Sequence, residues 1–386
     1  MKRYFLLAVI FINIIVFASC NNSSKKQNQE NAQTTEYKDL GYKRLVGTIR
    51  DKGVVLHLIE SEKVAIGNPN DDEGGFSGTF ITEGNSAPLI ISGHRVKDSV
   101  VQLVAHDRYH SVDTLNGILS DSTFKGEIKG PGGQHLSFQF KEKYPEGSLR
   151  WRVTSFNDSL KIASDSSKIG ALATTDLMSL WPVSKKDSSR LLPIKKDFSQ
   201  SFYKQSESFS SADKLLHSVS DDFFLKFKKQ VSQVSKKQEE LRPSLQWSYL
   251  TYMNLTSNVN QIISLIYTQY QFLGGAHGDQ KEFGYAMNLK SGKRIQLADL
   301  FKSGYEKILQ QKLEEKFRLE YNIPEDAALN GRKGLLFEKH LKISSNFYLT
   351  PYGIGFIYNP AEVAPHVVGV IDLYLPNEEL KELLKK

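Results

Sequence analysis

A single cysteine in 386 residues limits the ways in which this chain can be stabilised. Cys20 has no second cysteine to pair with, so no disulfide within the chain can hold its fold together. Stability must therefore come from hydrophobic cores. The sequence supplies the material for them, because 40% of its residues are hydrophobic and it contains 22 Phe and 17 Tyr. At this length we expect about two or three domains.

The first residues have the three-part layout of a secretory signal peptide. The basic pair Lys2 and Arg3 precedes an apolar run over residues 5–17, and small residues stand directly before Cys20. The sequence Phe-Ala-Ser-Cys resembles a bacterial lipobox, in which cleavage precedes the cysteine and its sulfur receives a diacylglycerol. We therefore expect residues 1–19 to be removed and Cys20 to carry a lipid, since several acyl chains together anchor a protein stably to a membrane.

The segment that begins at Cys20 is polar. Residues 20–42 contain many Asn, Ser, Gln, Lys and Thr side chains and few apolar ones, so we predict a disordered tether. Asn21 and Asn22 do not resemble an inner-membrane retention signal. We therefore expect an exported lipoprotein of the cell envelope, anchored in the outer membrane and facing the periplasm or the cell surface.

The charge balance and the motifs of the sequence argue against a nucleic-acid partner. The formal net charge is +7, or +5 without Lys2 and Arg3. Basic residues are spread along the chain, which suits a surface near anionic lipid or cell-wall polymers. The sequence has neither zinc-finger spacing nor a phosphate-binding loop, so we predict no nucleic-acid partner.

The sequence pattern of the N-terminal half is typical of β-strands. Over residues 43–155, short apolar runs alternate with turn signals, which predicts an antiparallel meander or a small barrel. Two runs, Phe76–Phe80 and Phe124–Ile128, place a glycine inside a strand, as at a bulge or a close approach of two backbones. Residues 156–190 are polar and rich in serine, and we predict a linker there.

The C-terminal half mixes helices and strands. An apolar stripe from Leu216 to Val234 predicts an amphipathic helix, and Phe198–Phe209 alternates as a strand would. We assign residues 191–244 to the start of a helix-bearing companion domain and residues 245–386 to an α+β domain. Its strands are mostly linked by hairpins, so the fold class is α+β with a mostly antiparallel sheet.

One loop motif admits two interpretations. Adjacent glycines permit backbone conformations that other residues avoid, which favours a tight structural turn. Its histidine is instead a candidate general base or metal ligand. The motif comprises Gly274, Gly275, Ala276, His277 and Gly278.

Downstream, Glu362 and His366 have a spacing that aligns two ligands on a helix, but Pro360 and Pro365 disfavour a helix there. With His277, these two residues form a candidate His-Glu-His set. Our preferred interpretation assigns no catalytic residue, metal or cofactor. The alternative is catalysis by His277 with Glu362 or His366, with or without a metal ion.

The C-terminal third contains four motifs in a fixed order: Gly274–Gly278, Asn288–Lys293, Ile295–Phe301 and Ala361–His366. Together they resemble a family of extracytoplasmic bacterial domains that includes the C-terminal modules of the anti-sigma factor RsiV and the peptidoglycan deacetylase PdaC. The resemblance covers about Leu245 to Leu384, and the segment from Pro193 resembles the companion domain of that family.

The resemblance implies an α+β fold and indicates which molecules the domain binds. In RsiV this region senses lysozyme, whereas the deacetylase chemistry of PdaC lies in a separate domain that has no counterpart here. We therefore expect a lipid-anchored envelope protein with a non-catalytic module that binds a lysozyme-like hydrolase or peptidoglycan. An envelope hydrolase that uses His277 with Glu362 or His366 is the alternative. A third possibility is a structural lipoprotein whose β domain docks a transport or surface-assembly machine.

Overall fold

In the computed structural model, eight antiparallel strands close into a barrel. Each strand pairs with the next one in the chain, and β8 returns to pair with β1. The expected small barrel is therefore confirmed. Its strands are β1 (Tyr42–Ile49), β2 (Lys52–Ser61), β3 (Gly75–Thr82), β4 (Leu89–Lys97), β5 (Val100–His106), β6 (Ser111–Leu119), β7 (Thr123–Lys129) and β8 (His135–Glu142).

The predicted signal peptide, Cys20 and most of the predicted tether lie outside the residues that the structure describes. None of the helices in the described part of the chain combines the length and apolarity needed to cross a membrane. The structure describes residues 40–61, 75–84, 86–107, 111–130, 132–162, 170–184, 189–233, 245–331 and 333–385.

The barrel is filled by its own side chains, and glycines let its strands approach closely. Gly78 in β3 has φ +142°, and a Cβ built there would lie 1.8 Å from the carbonyl oxygen of His57. A Cβ at Gly126 in β7 would lie 2.0 Å from the carbonyl oxygen of Asn116. Glycines at such positions let a sheet curve enough to close into a barrel. The interior includes Leu45, Leu56, Phe76, Phe80, Ile91, Leu103, Leu115, Phe124, Phe138 and Phe140.

A six-stranded sheet follows the barrel, in the order β14-β13-β12-β11-β10-β9. Its neighbours are antiparallel except β10 and β11, which are parallel. The strands are β9 (Arg150–Ile162), β10 (Ala171–Val183), β11 (Gln246–Val259), β12 (Ile262–Phe272), β13 (Asp279–Asn288) and β14 (Lys293–Arg294).

The interpretation of residues 156–190 as a linker is wrong for most of its described part, which belongs to β9 and β10. The polar composition is misleading because small polar side chains are buried in β10. Thr175 and Ser179 have 2% and 0% of their surface exposed, and the Thr175 hydroxyl lies 2.9 Å from that of Ser220.

Two helices connect β10 to β11, and their apolar side chains join the core of this sheet. Helix α1 (Leu192–Ser201) has a proline at its second position, and α2 (Ala212–Gln233) is the predicted amphipathic helix. The predicted strand at Phe198–Phe209 is wrong, because α1 extends through its first part. Ile194 and Phe198, four residues apart, are both buried and so lie on one helix face. The ring of Phe198 stacks on that of Trp151.

A three-stranded sheet and three further helices complete the fold. The sheet has the order β15-β16-β17, and Leu309, Leu313 and Phe317 from one helix are buried in its core. The α+β class is confirmed. These elements are α3 (Leu297–Leu300), α4 (Glu306–Glu320), β15 (Phe347–Thr350), β16 (Gly353–Tyr358), β17 (Ile371–Pro376) and α5 (Asn377–Leu380).

Buried hydrogen bonds connect the barrel to the six-stranded sheet. The Tyr42 hydroxyl lies 2.7 Å from Nδ1 of His57 and 3.4 Å from Nδ2 of Asn258. The amide of Asn258 also donates to the carbonyl of Leu149 and accepts from its N–H, both at 2.8 Å. The hydroxyl of Thr79 in β3 donates to the carbonyl of Leu255 in β11.

His57 is a fully buried titratable group at this junction. Burial, assisted by the charge of Arg44, lowers the pKa of His57 from 6.5 to about 3. Burial also raises the pKa of Tyr42, so at neutral pH the phenol donates to Nδ1 of a neutral imidazole. Nε2 of His57 has no hydrogen-bond partner among the described residues.

Candidate functional site

The glycine-histidine motif forms the loop between β12 and β13. Gly274 and Gly275 have φ values of +75° and +145°, a region that favours glycine. A Cβ at Gly278 would lie 2.2 Å from the Tyr270 hydroxyl. These positions support a structural role for the glycines, while Ala276 and His277 between them are exposed.

The second candidate segment is the connection from β16 to β17. It has no α-helix, as the two prolines predict, and its only helical part is a 3-10 turn over His366–Val368. The carboxylate of Glu362 accepts a 2.8 Å hydrogen bond from the N–H of Asn359. The Glu362 carboxylate is therefore hydrogen-bonded within its own loop.

Two of the three predicted site residues come together. The ring centres of His277 and His366 lie 4.6 Å apart, with an angle of 35° between the planes. Nδ1 of His277 lies 3.0 Å from the carbonyl oxygen of Gly278. Among the described residues, no group of three or more His, Cys, Asp or Glu side chains is placed to hold a metal ion. The full His-Glu-His set is therefore not assembled, but its two histidines are paired.

The loops that carry the two histidines also expose apolar side chains. Leu273 is 48% exposed and Val367 is 92% exposed. We call Leu273, Ala276, His277, His366 and Val367 the histidine surface. Val367 directly follows His366, and Leu273 lies four residues before His277.

Two asparagines hold the segments around this surface together. The Asn359 amide accepts from the N–H of Glu282 in β13 at 2.7 Å and donates to its carbonyl at 3.1 Å. The Asn346 amide donates to the same carbonyl at 2.8 Å and accepts from the N–H of Gly284 at 2.6 Å. The His366 segment is therefore fixed beside the strand that follows His277.

Sequence reasoning missed both asparagines as positioning residues. Each lies beside a strand, where Asn usually signals a turn. Their pairing with the backbone of β13 depends on contacts 62 to 77 residues away in sequence. The pattern around Asn359 and Asn346 alone does not specify such partners.

A second polar cluster lies between α1 and the six-stranded sheet. Nε of Arg294 donates to the Asp197 carboxylate at 2.7 Å, and its guanidinium lies 4.4 Å from the ring centre of Tyr285. Burial and the charge of Asp197 raise the pKa of Tyr285. This cluster joins the helical segment to β13 and β14.

Two family models match the C-terminal part of the chain. Residues 193–280 match the model described as "Deacetylase PdaC", and residues 298–378 match "Protein of unknown function (DUF3298)". The first segment contains α1, α2 and the glycine-histidine loop, and the second contains His366.

Solved structures of DUF3298 family proteins are also similar to this chain. A crystal structure of a DUF3298 family member from Bacteroides fragilis is 15% identical, covers 62% of this chain and 95% of its own, and superposes with a TM-score of 0.55. It shares the fold. A DUF3298 family protein from Pseudomonas aeruginosa is also 15% identical, covers 62% of this chain and 96% of its own, and has a TM-score of 0.42.

A comparison with curated proteins gives no match. The resemblance predicted from the sequence motifs is nevertheless confirmed by both family models. In its C-terminal half, this chain is similar first to the PdaC family and then to the DUF3298 family.

Proposed function

We propose that this protein is a non-catalytic binding module of the bacterial cell envelope, and that the histidine surface contacts its partner. The observation that supports this function most directly is the exposure of Leu273 and Val367 on two loops. The loop of Val367 is tied through the Asn359 amide to β13, the strand that directly follows the loop of Leu273. A surface that is apolar, exposed and rigidly supported loses little conformational entropy on binding.

The chemistry of the histidine surface favours a protein over a glycan. Its apolar members are the aliphatic side chains of Leu273 and Val367, which suit the desolvated centre of a protein interface. The family resemblance suggests a lysozyme-like hydrolase as the partner. We therefore propose a protein of that class, with peptidoglycan as the alternative ligand.

A substitution at the most exposed residue tests this surface. Val367→Asp should weaken binding of purified lysozyme at least tenfold, or about 1.4 kcal/mol, because the carboxylate would lose water at the centre of the contact. Immobilised full-length protein in detergent, titrated with lysozyme, gives the dissociation constants. Leu225→Asp is the matched control, since Leu225 is 66% exposed on α2, and it should bind normally.

The same immobilised protein is then incubated with purified peptidoglycan. Retention of peptidoglycan but not lysozyme would replace the proposed partner by the glycan. Retention of neither would contradict the binding function. Equal loss of affinity in the Val367 and Leu225 variants would show that the histidine surface is not the contact.

The proposal includes a lipid on Cys20, supported by the signal-like sequence before it. We expect the wild-type protein to incorporate labelled palmitate and to sediment with outer-membrane fragments. Cys20→Ala removes the acceptor sulfur, so label incorporation should fall to background. Ser19→Ala keeps the cysteine and serves as the control. Equal label incorporation by wild type and Cys20→Ala would contradict the lipid anchor.

The alternative function, an envelope hydrolase, has one supporting observation, the adjacent rings of His277 and His366. Its test is turnover of peptidoglycan by the purified protein. Hydrolysis that is lost in His277→Asn, with the circular dichroism spectrum unchanged, would favour this function over binding alone.

A further inference from the structure

We propose that His277 and His366 together bind a divalent transition-metal ion of the class of Zn²⁺, Cu²⁺ and Ni²⁺. Imidazole nitrogen is a preferred ligand for this class of ion. The two residues lie 89 positions apart in the sequence and come together because their loops flank the asparagine-linked segments around β13.

The hydrogen bonding of His277 determines which of its nitrogens is available. A carbonyl oxygen only accepts, so the 3.0 Å contact between Nδ1 and the Gly278 oxygen requires the proton on Nδ1. In the neutral ring, Nε2 then carries the free lone pair. Metal-binding histidines commonly donate their other ring nitrogen to a carbonyl in this way, which fixes the tautomer and the ring orientation.

The separation of the rings fits a shared ion. A zinc ion lies about 2.0 Å from a ligating nitrogen, and therefore about 3 Å from the ring centre. If two imidazoles bind one ion at a ligand angle between a right angle and the tetrahedral value, their ring centres lie about 4.2 to 4.9 Å apart. The observed 4.6 Å lies in that range. Both rings are exposed, so an ion from solution can reach them.

The site would supply two ligands and leave the other positions of the ion open. Glu362 is engaged with the N–H of Asn359, and the described residues offer no third metal-ligating side chain in a common group. The open positions would hold water or a side chain of a bound partner. The metal site shares the histidine surface with the proposed function but does not depend on it.

The test is a calorimetric titration with Zn²⁺ alone, using the full chain in detergent and purified without a histidine tag. We expect one ion per chain, with affinity at least tenfold weaker in His277→Ala and in His366→Ala. His366→Gln, which keeps a polar side chain, should show the same loss. His94→Ala is the control, since His94 is exposed on the barrel, and it should bind as wild type does.

Unchanged affinity in the His277 and His366 variants would overturn the proposal, as would an equal loss in His94→Ala. Binding of lysozyme is measured separately, in the presence of a chelator. Failure of zinc binding with lysozyme binding intact would reject the metal site alone, and the reverse result would reject the partner alone.

Discussion

Gly78→Ala should lower the free energy of unfolding by about 3 kcal/mol or more. Two effects add at this position. Its φ of +142° is strained for any residue with a side chain, and the new Cβ would lie 1.8 Å from the carbonyl oxygen of His57. Because the clash is with backbone, relief requires β2 and β3 to separate. The substitution therefore acts on the closure of the barrel.

Urea denaturation followed by tryptophan fluorescence and by circular dichroism measures this loss. Gly132→Ala is the matched control, because a Cβ at Gly132 would meet nothing within 4 Å, and its stability should stay within about 0.5 kcal/mol of wild type. A Gly78→Ala protein as stable as the Gly132 variant would contradict the described geometry of β2 and β3.

Acid should destabilise the wild-type protein through His57. The pKa of His57 is lowered to about 3 in the folded protein, from 6.5. Below pH 6.5 the unfolded state therefore binds a proton that the folded state excludes. The stabilising contribution is complete above pH 6.5 and falls by up to about 1.4 kcal/mol per pH unit as the pH decreases toward 3. The total loss is several kcal/mol.

The His57→Gln variant isolates this contribution. Its amide oxygen can accept the Tyr42 hydroxyl but does not titrate, so unfolding free energy should depend less steeply on pH between 6.5 and 3. Above pH 7.5 the two proteins should have parallel pH profiles, whatever their difference in absolute stability. His94→Gln, on the outside of the barrel, is the matched control. Equal slopes for wild type and His57→Gln in acid would contradict the prediction.

The parts of the fold with strong periodicity could be predicted from the sequence. The apolar stripe that includes Leu216, Val219, Phe223 and Phe227 predicted α2. The short apolar runs before residue 143 predicted the barrel. The turn between β11 and β12 shows where patterns mislead. Residues 256–258 are polar, as turn residues often are, but all three are buried in β11, and Thr256 and Asn258 are hydrogen-bonded there.

The actual turn at β11 and β12 lies at Asn260 and Gln261, both with positive φ, as in a type I′ hairpin. Burial of hydroxyls and amides in β10 and β11 depends on tertiary partners, which local composition does not reveal. The same holds for Asn346 and Asn359 at the candidate site. The histidine pair could be named from sequence only as one of several combinations, because the two residues lie 89 positions apart and are brought together by tertiary contacts.

The position of β9 and β10 determines where the chain can be cut for crystallography or NMR. A fragment that begins at residue 193, where the first family match begins, would remove both strands. It would leave the 14-residue strand β11 as an open sheet edge and remove the indole of Trp151 from beneath Phe198. Long unpaired edges recruit other chains and aggregate. A soluble fragment should therefore start before Arg150.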